Sequence, residues 1–154
     1  MTSAPVEDLR TLLDAPSPGV LTTTRAEGTA LASPVRFRWT GLAFEIVIAG
    51  GDVKPSHLMQ DPRCGHVIFE TSAPFRGVAV NGEAVLKDGE VTEIRSPIAG
   101  RYLGQEAGRR CAIERGSSPG VLVRLFPERL IRWGPCEPKY VKSPDRGAPC
   151  AHPR

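Results

Sequence analysis

Apolar residues recur along this chain in two alternating rhythms. Residues 5–14 (PVEDLRTLLD) set Val6, Leu9, Leu12 and Leu13 on one stripe, the spacing of a short helix that Pro16 and Pro18 terminate. The pattern then turns to a period of two. VLTTT (20–24), a turn at RAEG (25–28) and TALASPVRFRW (29–39) predict a β-hairpin. In its second strand Leu31, Ser33, Val35, Phe37 and Trp39 share one face, and Ala32, Pro34, Arg36 and Arg38 share the other. Pro34 donates nothing to a ladder, so this strand needs an unpaired side or a bulge. LAFEIVIA (42–49) is a third strand. Gly50-Gly51 breaks it, and Asp52 can cap a helix over 53–60 that Asp61-Pro62 ends.

GHVIFE (65–70) and RGVAVNGEAVLK (76–87) predict two more strands, with Gly82 marking a bulge or bend. Residues 91–103 carry a helical pattern interrupted at Ser96-Pro97, which predicts two short helices, and a further helix covers 105–115. VLVRLF (121–126) and RLIRW (129–133), split by Pro127, are the closing strands. From Gly134 onward periodicity is lost. The expectation is a domain over 1–134 and a C-terminal tail over 135–154. About seven strands with short antiparallel connections predict a mainly β fold, a barrel rather than a parallel sheet.

The chain's 154 residues suit one domain. No apolar run approaches the ~18 residues a membrane helix needs, and the N-terminus lacks a basic-then-apolar leader pattern. Cys64, Cys111, Cys136 and Cys150 form no CxxC, so they are read as reduced structural thiols in a cytoplasmic protein, and no zinc site is expected. A net charge of +3 is too small for a protein that coats nucleic acid, yet it suits a small anionic ligand.

Lys54 opens the helix that follows Gly50-Gly51, a place where backbone N–H groups attract phosphate; a solvated helix lysine is the ordinary alternative. Arg36 and Arg38 are either the wet side of a half-buried strand or a cationic wall that Arg63 and Arg76 could extend. Trp133 is a core or interface residue, or a neighbour of a bound ring. His57, three residues after Lys54, could face the same groove; His66 alternates with Ile68 on a strand; Tyr102 has the setting of a packing residue on a helix. His152 falls in the tail. There is no Ser-His-Asp grouping, no HExxH and no paired carboxylate motif, a poverty that fits a protein whose cofactor carries the chemistry.

Five blocks in order, SPVRFRW (33–39), IVIAGGDVKPSHLMQDPRCGHVIFE (46–70), FRGVAVNGEAVL (75–86), RYLGQEAGRR (101–110) and PGVLVRLFPERLIRWG (119–134), resemble the pyridoxamine 5′-phosphate oxidase-like superfamily of split β-barrels, in its flavin/deazaflavin oxidoreductase branch. The resemblance covers about residues 8–134. It implies a six- to seven-stranded antiparallel split barrel, a homodimer with two cofactors at the subunit interface, and hydride transfer to a small organic substrate. It implies coenzyme F420 or FMN as cofactor, with F420 favoured by the arginine supply and the Gly-Gly-x-x-Lys spacing. Non-catalytic binding of flavin or haem is the alternative of another class. Carried over by position, Lys54 binds the cofactor phosphate; Pro34, Val35, Arg36 and Phe37 present backbone to the ring; Ala49, Gly50 and Gly51 lie beside the phosphate-bearing chain; Trp133 lies near the ring. Where some members place a second basic residue just before the lysine, this chain has Asp52 and Val53.

Overall fold

A computed structural model describes residues 9–134 apart from 74, 90 and 117. The start of the first predicted helix, the tail 135–154, Cys136, Cys150 and His152 lie outside the described residues.

Helix α1 (Arg10–Asp14) buries Leu12 and Leu13. Seven strands follow: β1 (Gly19–Thr24), β2 (Ala30–Val35), β3 (Arg38–Trp39), β4 (Phe44–Ala49), β5 (Arg63–Phe69), β6 (Gly77–Gly89) and β7 (Gly120–Trp133). Helix α2 (Lys54–Gln60) joins β4 to β5, and the pair α3 (Thr92–Leu103) and α4 (Gln105–Arg115) joins β6 to β7. Every pairing is antiparallel, in the order β2-β1-β5-β6-β7-β4-β3. The two edge strands are consecutive in the chain, so the sheet curls until β2 and β3 adjoin, and the gap between them is the split. Inside lie Leu21, Phe37, Phe44, Ile46, Ile68, Val78, Val80, Val123 and Leu125, all buried.

Three elements differ from the sequence expectation. The strand predicted over 29–39 is two strands: β2 pairs with β1 and β3 with β4, and the chain changes partner at Arg36-Phe37. Helix α3 supplies what the ladder loses there. The Phe37 N–H donates to the Tyr102 hydroxyl (3.2 Å), and the Phe37 carbonyl accepts from Arg101. Pro34 is tolerated because β2 is an edge. Pro127 does not divide the last strand. It faces Gly82 at a register shift, past the last residue of β7 that pairs with β4, so its missing donor costs no bond on that side. The two short helices predicted over 91–103 are one: Pro97 lies midway along α3 but on an exposed position, where water can satisfy the carbonyl it leaves free.

Candidate functional site

Beside the split, a cavity of about 310 Å³ opens between the end of β2, strand β4, the α2 turn and the α3–α4 pair. Its strand side is Pro34, Val35, Arg36, Val47, Ile48 and Ala49; its turn side is Asp52 and Lys54. Arg95, Ile98 and Ala99 of α3 and Cys111, Ala112 and Arg115 of α4 complete it. Four cations thus face one carboxylate. Aliphatic side chains fill the space between, a lining suited to an apolar body with an anionic end.

Of the residues singled out in the sequence, Pro34, Val35, Arg36, Ala49 and Lys54 meet in this cavity. Arg36 lies over the Tyr102 ring, 5.6 Å from its centroid. Gly50 and Gly51 stand behind the lining: the Gly50 N–H donates to the Pro119 carbonyl (2.9 Å) and fixes the turn that carries Lys54. Phe37 is fully buried, stacked edge-on against Phe44 and His66, and points away from the cavity. Trp133 covers Gly77 at the far end of β7, whereas Gly120, paired with Ala49, marks the cavity end. Thirteen residues of strand separate the two, up to ~43 Å, so Trp133 does not reach this cavity from its own chain.

Lys54 is not a bare cation. Its Nζ contacts Asp52 Oδ2 at 2.7 Å, and its backbone N–H donates to Asp52 Oδ1 at 2.9 Å. Burial pushes the Asp52 carboxyl upward, but the two hydrogen bonds from Lys54 outweigh it and hold the group below its ordinary range. Arg38, Arg63 and Arg76 do not extend a cationic wall, because each is held by an acid: Arg38 by Glu45 (2.6 Å), Arg63 by Asp61 (2.8 Å), Arg76 by Glu70 (2.5 Å). His57 turns to β1, where its Nδ1 meets Thr23 Oγ1 at 3.0 Å. Tyr102 is a packing and bonding residue, its hydroxyl shared between backbone groups of Phe37 and Ser17.

Sequence reasoning missed the helical wall. Arg95 is 8% exposed and its Nη2 donates to the Pro119 carbonyl at 3.3 Å. Its signal was present: Val91, Arg95, Ile98 and Ala99 form the buried stripe of α3, so an arginine occupies a register meant for apolar side chains.

No family model matches this sequence, and no curated protein does. Solved structures do. One described as an F420 reductase superposes with a TM-score of 0.64 at 19% identity, covering 79% of this chain and 94% of its own. A conserved hypothetical protein of Mycobacterium tuberculosis superposes with a TM-score of 0.72 at 18% identity, covering 93% and 92%. This chain has the split-barrel fold. A third split barrel, the haem storage protein HutZ of Vibrio cholerae, gives a TM-score of 0.58 at 17% identity over 84% and 94%. At such identities the likeness of these split barrels extends to the fold.

Proposed function

We propose that this split barrel is an oxidoreductase that binds a deazaflavin, coenzyme F420, at the cavity beside Lys54, with FMN as the alternative cofactor. When bound, the cofactor supplies a ring that carries a hydride to or from a small unsaturated or quinone-like substrate. The observation that carries the reading is the convergence of Pro34, Val35, Arg36, Ala49 and Lys54, drawn from three separate segments, on one cation-rich cavity.

The residues present fit such a group. Arg95 has a buried terminal nitrogen with no partner, and the cavity has more cations than acids; both suit a phosphate-bearing molecule. Val35, Val47, Ile48, Ile98 and Ala99 offer an apolar wall to a ring edge. A volume of 310 Å³ is at the low end for small-molecule sites, so part of a cofactor of this size would extend beyond it. A second copy of the chain covering that part is why the reading includes a homodimer, and only from a second copy does Trp133 come near the ring. No described side chain lining the cavity forms an acid–base pair with a nucleophile, so the protein's part is to hold, orient and shield. Haem storage has less support, since no histidine among the described residues lines the cavity. The reading places the protein in the cytoplasm.

The test is separate titration of the purified chain with FMN and with F420, followed by ring fluorescence, then reduction of a quinone by the reduced cofactor in air. F420 is expected to bind, to lose affinity by up to about tenfold in Lys54→Ala, where Asp52 already shares the ammonium, and to support turnover with little background oxidation. Tight FMN binding that F420 does not disturb would replace the first cofactor with the second. Binding of neither would end the oxidoreductase reading.

A further inference from the structure

Four described arginines outside the cavity are held by acids. Glu45, buried, takes Arg38 and Arg124; Asp61 takes Arg63; Glu70 takes Arg76. The cavity is built otherwise. Arg36, Arg95 and Arg115 line it, and none of them makes an ion pair among the described residues. The one carboxylate present, Asp52, is committed to Lys54.

Arg95 is the deepest of the three. It is 92% buried, its Nη2 makes one long bond to the Pro119 carbonyl, and its Nη1 is shut away from water with no acceptor. The surroundings make room for it. A Cβ at position 120 would come within 2.8 Å of Nη2, so Gly120 is what lets the guanidinium lie against β7. A buried cation with an empty donor is costly unless something pairs with it. Arg36 and Arg115 are exposed at the cavity rim and add positive potential there, and a guanidinium fork is matched to phosphate and carboxylate oxygens.

We propose that Arg95 is the receptor for an oxyanion, with Arg36 and Arg115 supplying the surrounding positive potential. Lys54 is second to it, because its ammonium already has a carboxylate. The oxyanion is either the phosphoryl group of the cofactor, which rests on the function proposed above, or an anionic group of the substrate, which does not. The chemistry recognised is the same in both cases.

Inorganic phosphate is the probe, titrated by calorimetry into the full chain without cofactor, with acetate at matched ionic strength for comparison. Saturable one-to-one binding is expected, about 10- to 100-fold weaker in Arg95→Gln, only partly restored in Arg95→Lys, and at least about tenfold weaker for acetate. In phosphate-free buffer Arg95→Gln should melt no lower than the parent chain, and it should lose the rise in melting temperature that phosphate gives; a purely structural arginine would do the reverse. Arginine side-chain resonances of the unaltered chain give a reading that needs no variant: one guanidinium should shift on adding phosphate. FMN or F420 added at saturating phosphate then locates the source, competition assigning the oxyanion to the cofactor and simultaneous binding assigning it to the substrate. Phosphate binding with no binding of either cofactor would leave Arg95 as an oxyanion site and remove the oxidoreductase reading alone. Equal phosphate affinity in the parent and Arg95→Gln, equal binding of acetate, or no saturable binding in the millimolar range overturns the proposal.

Discussion

His66 has no exposed surface, and its ring stands edge-on to Phe37 and Phe44 with centroids 4.9 and 5.3 Å away. Neither ring nitrogen makes a hydrogen bond of normal geometry. Burial pulls the imidazole down to about 4, against a smaller upward pull from the Val20 backbone. The unfolded chain takes this proton below its ordinary value of 6.5, the folded chain only below about 4. Stability is therefore full above pH 6.5 and falls as pH drops toward 4, by of order 3 kcal/mol. Urea midpoints measured between pH 7 and 4.5 should show this slope, and His66→Leu should flatten it. The carboxylates held low by arginines and Lys54 add a further loss, but mostly below pH 4.5. A second residue-scale prediction concerns Asp52. Asp52→Asn frees the Lys54 ammonium, so affinity for inorganic phosphate should rise about tenfold; no change would mean that Lys54 stays out of the oxyanion site. At this scale the sequence was partly legible. Lys54 and Arg36 stood beside recognisable turns, and the Asp52 next to Lys54 was in plain view. Arg95 interrupts an apolar helix stripe, a signal the sequence carries, but what the residue faces becomes known only with the stripe's neighbour.

Elements were more readable than the joints between them. Local periodicity settles whether a stretch is helix or strand, and it did so for all seven strands and for the helices after β4 and β6. Where a strand stops depends on partners far away in the chain. The break at Arg36-Phe37 rests on Arg101 and Tyr102, some 65 residues later, and the passage of β7 through Pro127 rests on Gly82 across the ladder. The α3–α4 pair shows the same dependence. A Cβ at position 108 would lie 2.4 Å from the Gly100 backbone nitrogen, so the two helices touch backbone to backbone. Gly108→Val should push α4 outward, cost roughly 1–3 kcal/mol in denaturant unfolding, and weaken phosphate binding, since Cys111 and Arg115 ride on α4 and Arg95 on α3. Full stability with unchanged phosphate binding would show that the cavity does not depend on this crossing.

Across the whole molecule, the proposed dimer gives the simplest measurement: light scattering at micromolar concentration should return twice the chain mass, and a monomer would leave the cavity without its cover. Phe69, Phe75 and Val85 are exposed hydrophobic side chains in the described structure, surface that a partner can bury. No helix among the described residues is long and apolar enough to cross a membrane. The barrel itself has one line along which its backbone is not laced. Between β2 and β3 no ladder forms, and α3 ties down the link that joins them: Arg101 donates to the carbonyls of Leu13 (2.5 Å) and Ala15 (2.7 Å) at the first helix and of Phe37 in the link, and Tyr102 takes the Phe37 amide. A cylinder stitched there by two residues of one helix has a seam. Amide hydrogens along that seam should exchange with solvent sooner than those of β5 to β7, and Arg101→Ala should hasten them most. Because Pro34, Val35 and Arg36 form both the lip of the seam and the strand wall of the cavity, a ligand bound there should also slow amide exchange along the seam.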